Sequence, residues 1–158
     1  MKNINALKYS VVAVRIGLGL LFVYAGTQKF AEPAPREKPN TEQNTEVNAL
    51  PENVVKIRAY IGGLKQTEFF WPMLGIAEIL CGVLLLSQLF ALLGAIMLVP
   101  LTLNIFLFEV FLGGGDVIEV IVHGLYLLAN LIIIAYGYPR LKLAFLITDK
   151  QFQNATKS

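Results

Sequence analysis

Long apolar runs alternate with short polar breaks along this chain. The longest extends from Phe69 to Leu112 and carries only two charged side chains, Glu78 and Glu109. It is about twice as long as one helix needs to cross a bilayer, so it must fold back on itself. Ser87-Gln88, the only adjacent polar pair inside it, predicts the turn. Two more apolar segments flank this run. The predicted helices are residues 9–29, 69–86, 89–112 and 117–138. At about 1.5 Å per residue each spans a hydrocarbon core of roughly 30 Å. Backbone groups in lipid must bond within their own segment, so these segments are helical despite their β-branched residues.

The connections differ in length. Ser87-Gln88 and Gly113-Gly114-Gly115-Asp116 are tight and make the segments they join antiparallel neighbours. The loop at 30–68 is long. Its first half, Glu32 to Asn48, is polar, bears prolines and has no apolar periodicity, so it is expected to be irregular or mobile. Its second half opens with Pro51-Glu52-Asn53, a helix-start pattern. Val54, Val55, Ile57, Tyr60, Ile61 and Leu64 then alternate with Lys56, Arg58 and Lys65, which predicts a short amphipathic helix lying at the membrane surface or capping the bundle. Phe69, Phe70 and Trp71 read as interface anchors. The expectation is an all-α integral membrane protein: one domain over residues 1–158, an up-down four-helix bundle with a short amphipathic helix in the first long loop.

Composition supports this and excludes several functions. Of 158 residues, 56% are hydrophobic and 15% charged, against about 25% charged in a soluble domain. A net charge of +2 with scattered basic residues gives no reason to expect a nucleic-acid partner. The lone Cys81 excludes an intrachain disulfide or a dithiol relay. The lone His123 excludes a bis-histidine haem within one chain, and Glu119 and His123, four apart, do not form an ExxH di-iron signature. No metal site is expected. The first apolar segment is longer than a signal-peptide core and contains Arg15, so it reads as a retained crossing. Basic residues divide equally between the two sides, and the two basic tails favour cytoplasmic termini.

Each polar residue within a crossing needs a reason, since an intramembrane charge costs roughly 2.5–3.5 kcal/mol on insertion scales. Glu78 and Asn104 lie about 12 Å in from the long-loop side and His123 about 9 Å, with Tyr24 and Gln28 at similar or shallower levels. These five are the candidate ligand-binding residues, expected to line one cavity open toward the long loop. Such a pocket suits a quinone headgroup or another small polar molecule, because His, Asn, Tyr and protonated Glu supply hydrogen bonds and carry protons. The competing reading is that they pair across helices and only hold the bundle together. Arg15 and Asn130 belong to the opposite half as structural intramembrane polar groups. Gly17, Gly19, Gly26, Gly75, Gly82, Gly94 and Gly124 are expected to permit close helix contact. Pro100 is expected to free a carbonyl one turn earlier.

Arg15, the following glycines and the ending Gly26-Thr27-Gln28-Lys29-Phe30 resemble the opening of DoxX-family membrane proteins. Phe69-Phe70-Trp71-Pro72-Met73-Leu74 with Glu78 and Gly82 is similar to that family's second helix, and Pro100 with Asn104-Ile105-Phe106-Leu107-Phe108 to its third. The resemblance covers most of the chain outside Glu32 to Asn48. The chain departs from some relatives in having Glu109 in place of a histidine and in lacking a basic residue near Gln88. The resemblance implies a multi-pass protein of the bacterial inner membrane, related to membrane subunits of quinone-linked sulfur-compound oxidoreductases. Such a subunit would bind no covalent cofactor, engage quinone, and dock a soluble redox partner through the long loop, alone or as a homo-oligomer. The alternative is a non-enzymatic membrane scaffold or assembly protein.

Overall fold

The computed structural model describes residues 2–31, 51–113 and 116–145. The stretch Glu32 to Asn48, expected to be irregular, lies outside them. Five α-helices and no strand occur among the described residues: α1 (Lys2–Ala31), α2 (Glu52–Gln66), α3 (Phe70–Leu86), α4 (Ala91–Phe111) and α5 (Val117–Phe145). Three stretches are long and apolar enough to cross a membrane: Ala6–Ala31, Ala91–Phe111 and Val117–Pro139. The pair α2 and α3, bent by 89° at the break between them, gives up to a fourth.

Two helices outrun the apolar pattern. α1 begins at Lys2 rather than near Tyr9, and α5 continues through Pro139 to Phe145 rather than ending at Tyr138. A helix need not stop where lipid stops, because water can satisfy its carbonyls beyond the hydrocarbon. There a proline's missing N–H leaves a carbonyl that water can reach, so Pro139 is tolerated.

Short polar side chains make the breaks. Phe90 donates its backbone N–H to Ser87 Oγ at 3.0 Å, starting α4, and Ile118 donates to Asp116 Oδ1 at 2.9 Å, starting α5. Phe70 donates to Thr67 Oγ1 at 3.2 Å at the start of α3. Between Thr67 and Phe69, Glu68 takes a left-handed backbone with φ 58°. α2 starts at Pro51, whose carbonyl accepts from Val54 and Val55 at 2.9 and 3.2 Å. In its first turn Glu52 pairs with Lys56 at 2.7 Å, and that hydrogen bond and charge hold the Glu52 carboxyl below its ordinary range.

α1 packs against α3 and α5, and α4 packs against α3 and α5. The α1–α3 contact is the tightest. A Cβ on Gly82 would lie 2.7 Å from the Gly19 carbonyl oxygen, and one on Gly26 would lie 2.7 Å from that of Gly75. Moving from 19 to 26 on α1 moves from 82 back to 75 on α3, so the two run antiparallel with glycine facing glycine two turns apart. Gly94 meets Cys81, Leu84 and Leu85 of α3 in the same way. On α5, Gly124 faces Phe106 and Gly137 faces Leu92, which makes α4 and α5 antiparallel too. Gly17 has nothing within 4 Å and takes no part in helix contact. Val11, Leu18, Phe22, Cys81, Leu85, Ala95, Leu98 and Ile133 form the core among these helices. Within α4, Pro100 removes the bond to the Ile96 carbonyl, while the buried Thr102 hydroxyl donates back to the Leu98 carbonyl at 3.0 Å.

Candidate functional site

Lys29 and Glu78 form an ion pair at 2.6 Å across the α1–α3 crossing, with 15% and 2% of their side chains exposed. Helix direction brings them together. Side chains lean toward the N-terminus of their own helix. Lys29 sits one turn beyond Gly26 toward the α2 end and leans back inward; Glu78 sits one turn deeper than Gly75 and leans outward. On antiparallel helices the two converge at the level of the Gly26–Gly75 contact, where the missing side chains let the backbones approach.

Trp71, in the first turn of α3, lies beside this pair. The Lys29 ammonium is 5.5 Å and the Lys65 ammonium 4.7 Å from the centroid of its ring. Its indole Nε1 is buried without a hydrogen-bond partner among the described residues. α2 approaches α4 through Tyr60, whose hydroxyl donates to Asn104 Oδ1 at 3.5 Å and whose ring lies 5.5 Å from that of Phe108. No residue of α2 is buried.

On α5, His123 Nδ1 lies 2.8 Å from the Glu119 carbonyl oxygen. A carbonyl only accepts, so Nδ1 carries the proton, and in the neutral ring Nε2 is the free acceptor. The Glu119 carboxylate lies 3.7 Å from the same nitrogen, and the Tyr126 ring stands edge-on at 5.6 Å.

The five residues expected around one cavity are therefore distributed among separate partners. Glu78 pairs with Lys29, Asn104 meets Tyr60 and is otherwise exposed, and His123 bonds to its own helix. Tyr24 is 66% exposed and Gln28 is also exposed, both on the outward side of α1. In the opposite half, Asn130 is fully buried and donates through Nδ2 to the Ala95 carbonyl at 3.1 Å, tying α5 to α4, while its Oδ1 has no partner. Arg15 is half-buried, with Nε likewise unpartnered. No group of three His, Cys, Asp or Glu side chains converges among the described residues.

Sequence reasoning placed Lys29, Trp71, Tyr60 and Lys65 at the rim or in the loop and gave none of them a site role. A signal was present for Lys29. Val11, Arg15, Leu18, Phe22, Gly26 and Lys29 recur at steps of three or four, the inward stripe of one helix. Tyr24 lies two residues from both Phe22 and Gly26, Gln28 falls between Gly26 and Lys29, and both are exposed.

Comparison with known proteins bears on the same helices. The DoxX family model matches residues 10–110, from α1 into the end of α4, and the chain belongs to that family. The match includes Lys29, Trp71, Glu78 and Asn104 and stops before His123 and Asn130. No curated protein and no solved structure gives a significant match.

Proposed function

We propose that this DoxX-family membrane protein crosses the bilayer four times, through α1, α3, α4 and α5 as an up-down bundle. Both termini lie on the cytoplasmic side of a bacterial inner membrane. α3 has 17 residues, about 25 Å of rise, and qualifies as a short crossing because it is packed between α1 and α4. The protein serves as the membrane subunit of a redox-linked, quinone-associated system, docking its electron-transfer partner through the loop at 30–68.

The observation that carries this reading is the Lys29–Glu78 pair. Apolar helices that already meet through glycines need no ion pair to pack, and an ionisable pair at membrane depth is by default a functional feature. The residues present at this end suit a quinone. The Tyr60 hydroxyl, the Asn104 amide and the Lys29 ammonium are donors for its carbonyl oxygens, and His123 Nε2 is an acceptor for a hydroquinone proton. A quinone would supply two-electron, two-proton chemistry; the chain's own groups would orient the ring and hold protons. The site is narrower than the one expected from depth alone, because Tyr24 and Gln28 are turned outward.

A specific observation favours a second reading. Glu78, Asn104 and His123 each have a separate local partner, as in a bundle whose polar groups only hold helices together. Calorimetric titration of the purified protein in nanodiscs with a short-chain quinone separates the two. The redox reading expects saturable binding, weakened at least tenfold in the Lys29→Met/Glu78→Leu double variant and severalfold in His123→Ala. Absence of saturable binding in a folded wild-type protein rejects it and leaves the scaffold.

A further inference from the structure

The end of the bundle formed by the start of α1 and the finish of α5 carries a positive charge that the redox reading does not use. Before Lys29 and after Glu119 the sequence has seven basic residues, Lys2 to Arg15 and Arg140 to Lys157, and one acid, Asp149. Arg15 pairs with no acid among the described residues, and its buried Nε has no hydrogen-bond partner. We propose that Arg15 and Lys8 bind the phosphate of an anionic phospholipid at this end, with the Arg15 guanidinium as hydrogen-bond donor and Lys8 as added charge. The inference needs α1 to cross the bilayer and is independent of the redox reading.

Helix register makes the place. A Cβ on Gly19 would meet Leu86, the last residue of α3, and one on Gly137 would meet Leu92, the second residue of α4. Arg15 is one turn before Gly19, so it lies where α3 has already ended, while α1 runs back to Lys2 and α5 on to Phe145. Those two helices pack against each other and leave a step above the turn that joins α3 to α4. Lys8, Val11 and Arg15 share one stripe of α1, and Val11 is buried, so the stripe faces the protein at this level. Lys8 and Arg15 are about 10 Å apart along the axis, and the Arg15 side chain leans back toward Lys8. Buried N–H groups almost always have a partner, so the orphaned Nε calls for an acceptor from outside the chain. A guanidinium fork fits two phosphate oxygens. The surroundings suit a lipid rather than a free ion. Arg15 lies within the apolar span that starts at Ala6, about 13 Å along it, where a cation without an anion is costly. Val14, Leu89 and Phe90 are exposed around the step and offer apolar surface to acyl chains.

Native mass spectrometry of the full-length protein, in detergent with equal amounts of phosphatidylglycerol and phosphatidylcholine, measures which lipid is retained. Wild type is expected to keep severalfold more phosphatidylglycerol. Arg15→Gln is expected to lose most of that preference and Lys8→Gln a smaller part of it. Lys56→Gln removes the same charge from the exposed face of α2 and is expected to leave the preference unchanged. Thermal melts give a second readout: phosphatidylglycerol is expected to raise the midpoint of wild type and of Lys56→Gln, and to raise that of Arg15→Gln much less. Lys8 is exposed, so Lys8→Gln decides the matter if Arg15→Gln does not fold. Equal retention of the two lipids by wild type overturns the proposal, as does an undiminished preference in Arg15→Gln or, failing that variant, in Lys8→Gln. Equal losses in Arg15→Gln and Lys56→Gln overturn it too, because the lipid would then follow overall charge. Displacement of phosphatidylglycerol by millimolar inorganic phosphate also overturns it, because the site would then serve the free ion.

Discussion

The α1–α3 crossing and the amphipathic helix α2 lie side by side and are held in opposite ways. At the crossing, four glycines bring two backbones into contact and bury a lysine–glutamate pair. α2 buries no residue; it rests on α3 and reaches α4 through a long Tyr60–Asn104 hydrogen bond and one ring contact. In a bilayer, lipid tails are as apolar as leucine, so firm association requires close packing or polar bonds that lipid cannot replace. The crossing has both. α2 has little of either among the described residues.

The sharpest way to break this contrast is to put a methyl group into the crossing. At Gly82 a Cβ would meet the Gly19 carbonyl oxygen at 2.7 Å and the Val23 backbone nitrogen at 2.9 Å, and backbone cannot swing aside. Gly82→Ala is expected to destabilise the protein by about 3 kcal/mol through overpacking. Gly17→Ala on the same α1 is the matched control, since nothing lies within 4 Å. It is expected to be neutral, or stabilising by up to about 1 kcal/mol from helix propensity alone. Denaturant-induced unfolding in mild detergent compares them. Equal losses would mean that the glycines do not mark the contact.

A smaller effect sharpens the electrostatic half of the comparison. Glu78→Leu removes one member of a buried pair and leaves the Lys29 ammonium uncompensated. Breaking such a pair deep in a protein costs about 3–5 kcal/mol. Lys29 is 15% exposed near the rim and can snorkel, so about 2 kcal/mol is the expectation here. Adding Lys29→Met should recover most of that loss, because an apolar pair of similar volume suits the site. The same unfolding assay checks this. If the double variant is no more stable than Glu78→Leu, the ion pair is not the source of the loss.

Much of the fold was legible because bilayer physics leaves few choices. Apolar length and the need for internal backbone bonds marked the helical segments, and the polar breaks at Ser87-Gln88 and Gly113-Gly114-Gly115-Asp116 marked where they are joined. Pro51 announced α2. The site was less legible because depth along a helix says nothing about direction around it. Tyr24 and Glu78 were assigned similar depths, yet one faces outward and the other is buried. Depth alone also left open that Asn104, two residues after the buried Thr102, is turned about half a circle from it and is exposed. The Lys29 partner was missed because it lies 49 residues from Glu78 and closes the last turn of α1, where a basic residue reads as a loop-side charge. Only the antiparallel register, with each side chain leaning toward its own N-terminus, brings them together.

The smallest effect tests the joint between the two regions. Glu68 holds φ at 58° in the turn that sets α2 at 89° to α3. A left-handed backbone costs a residue with a side chain about 1–2 kcal/mol, and glycine avoids that cost. Glycine also adds freedom to the unfolded chain, which takes back about 0.4–1 kcal/mol. Glu68→Gly is therefore expected to steady the bend by about 0.5 kcal/mol, while Glu68→Val, β-branched at the same angle, should loosen it by more than that. Global unfolding is a poor probe, because α2 buries nothing and can detach before the helices around the crossing separate. Hydrogen exchange of the α2 amides reads the joint directly. Slower exchange in Glu68→Gly and faster exchange in Glu68→Val, with α1 and α3 amides unchanged in both, would show that α2 is positioned by its hinge. Equal exchange in the two variants would instead assign its position to Tyr60 and the membrane surface.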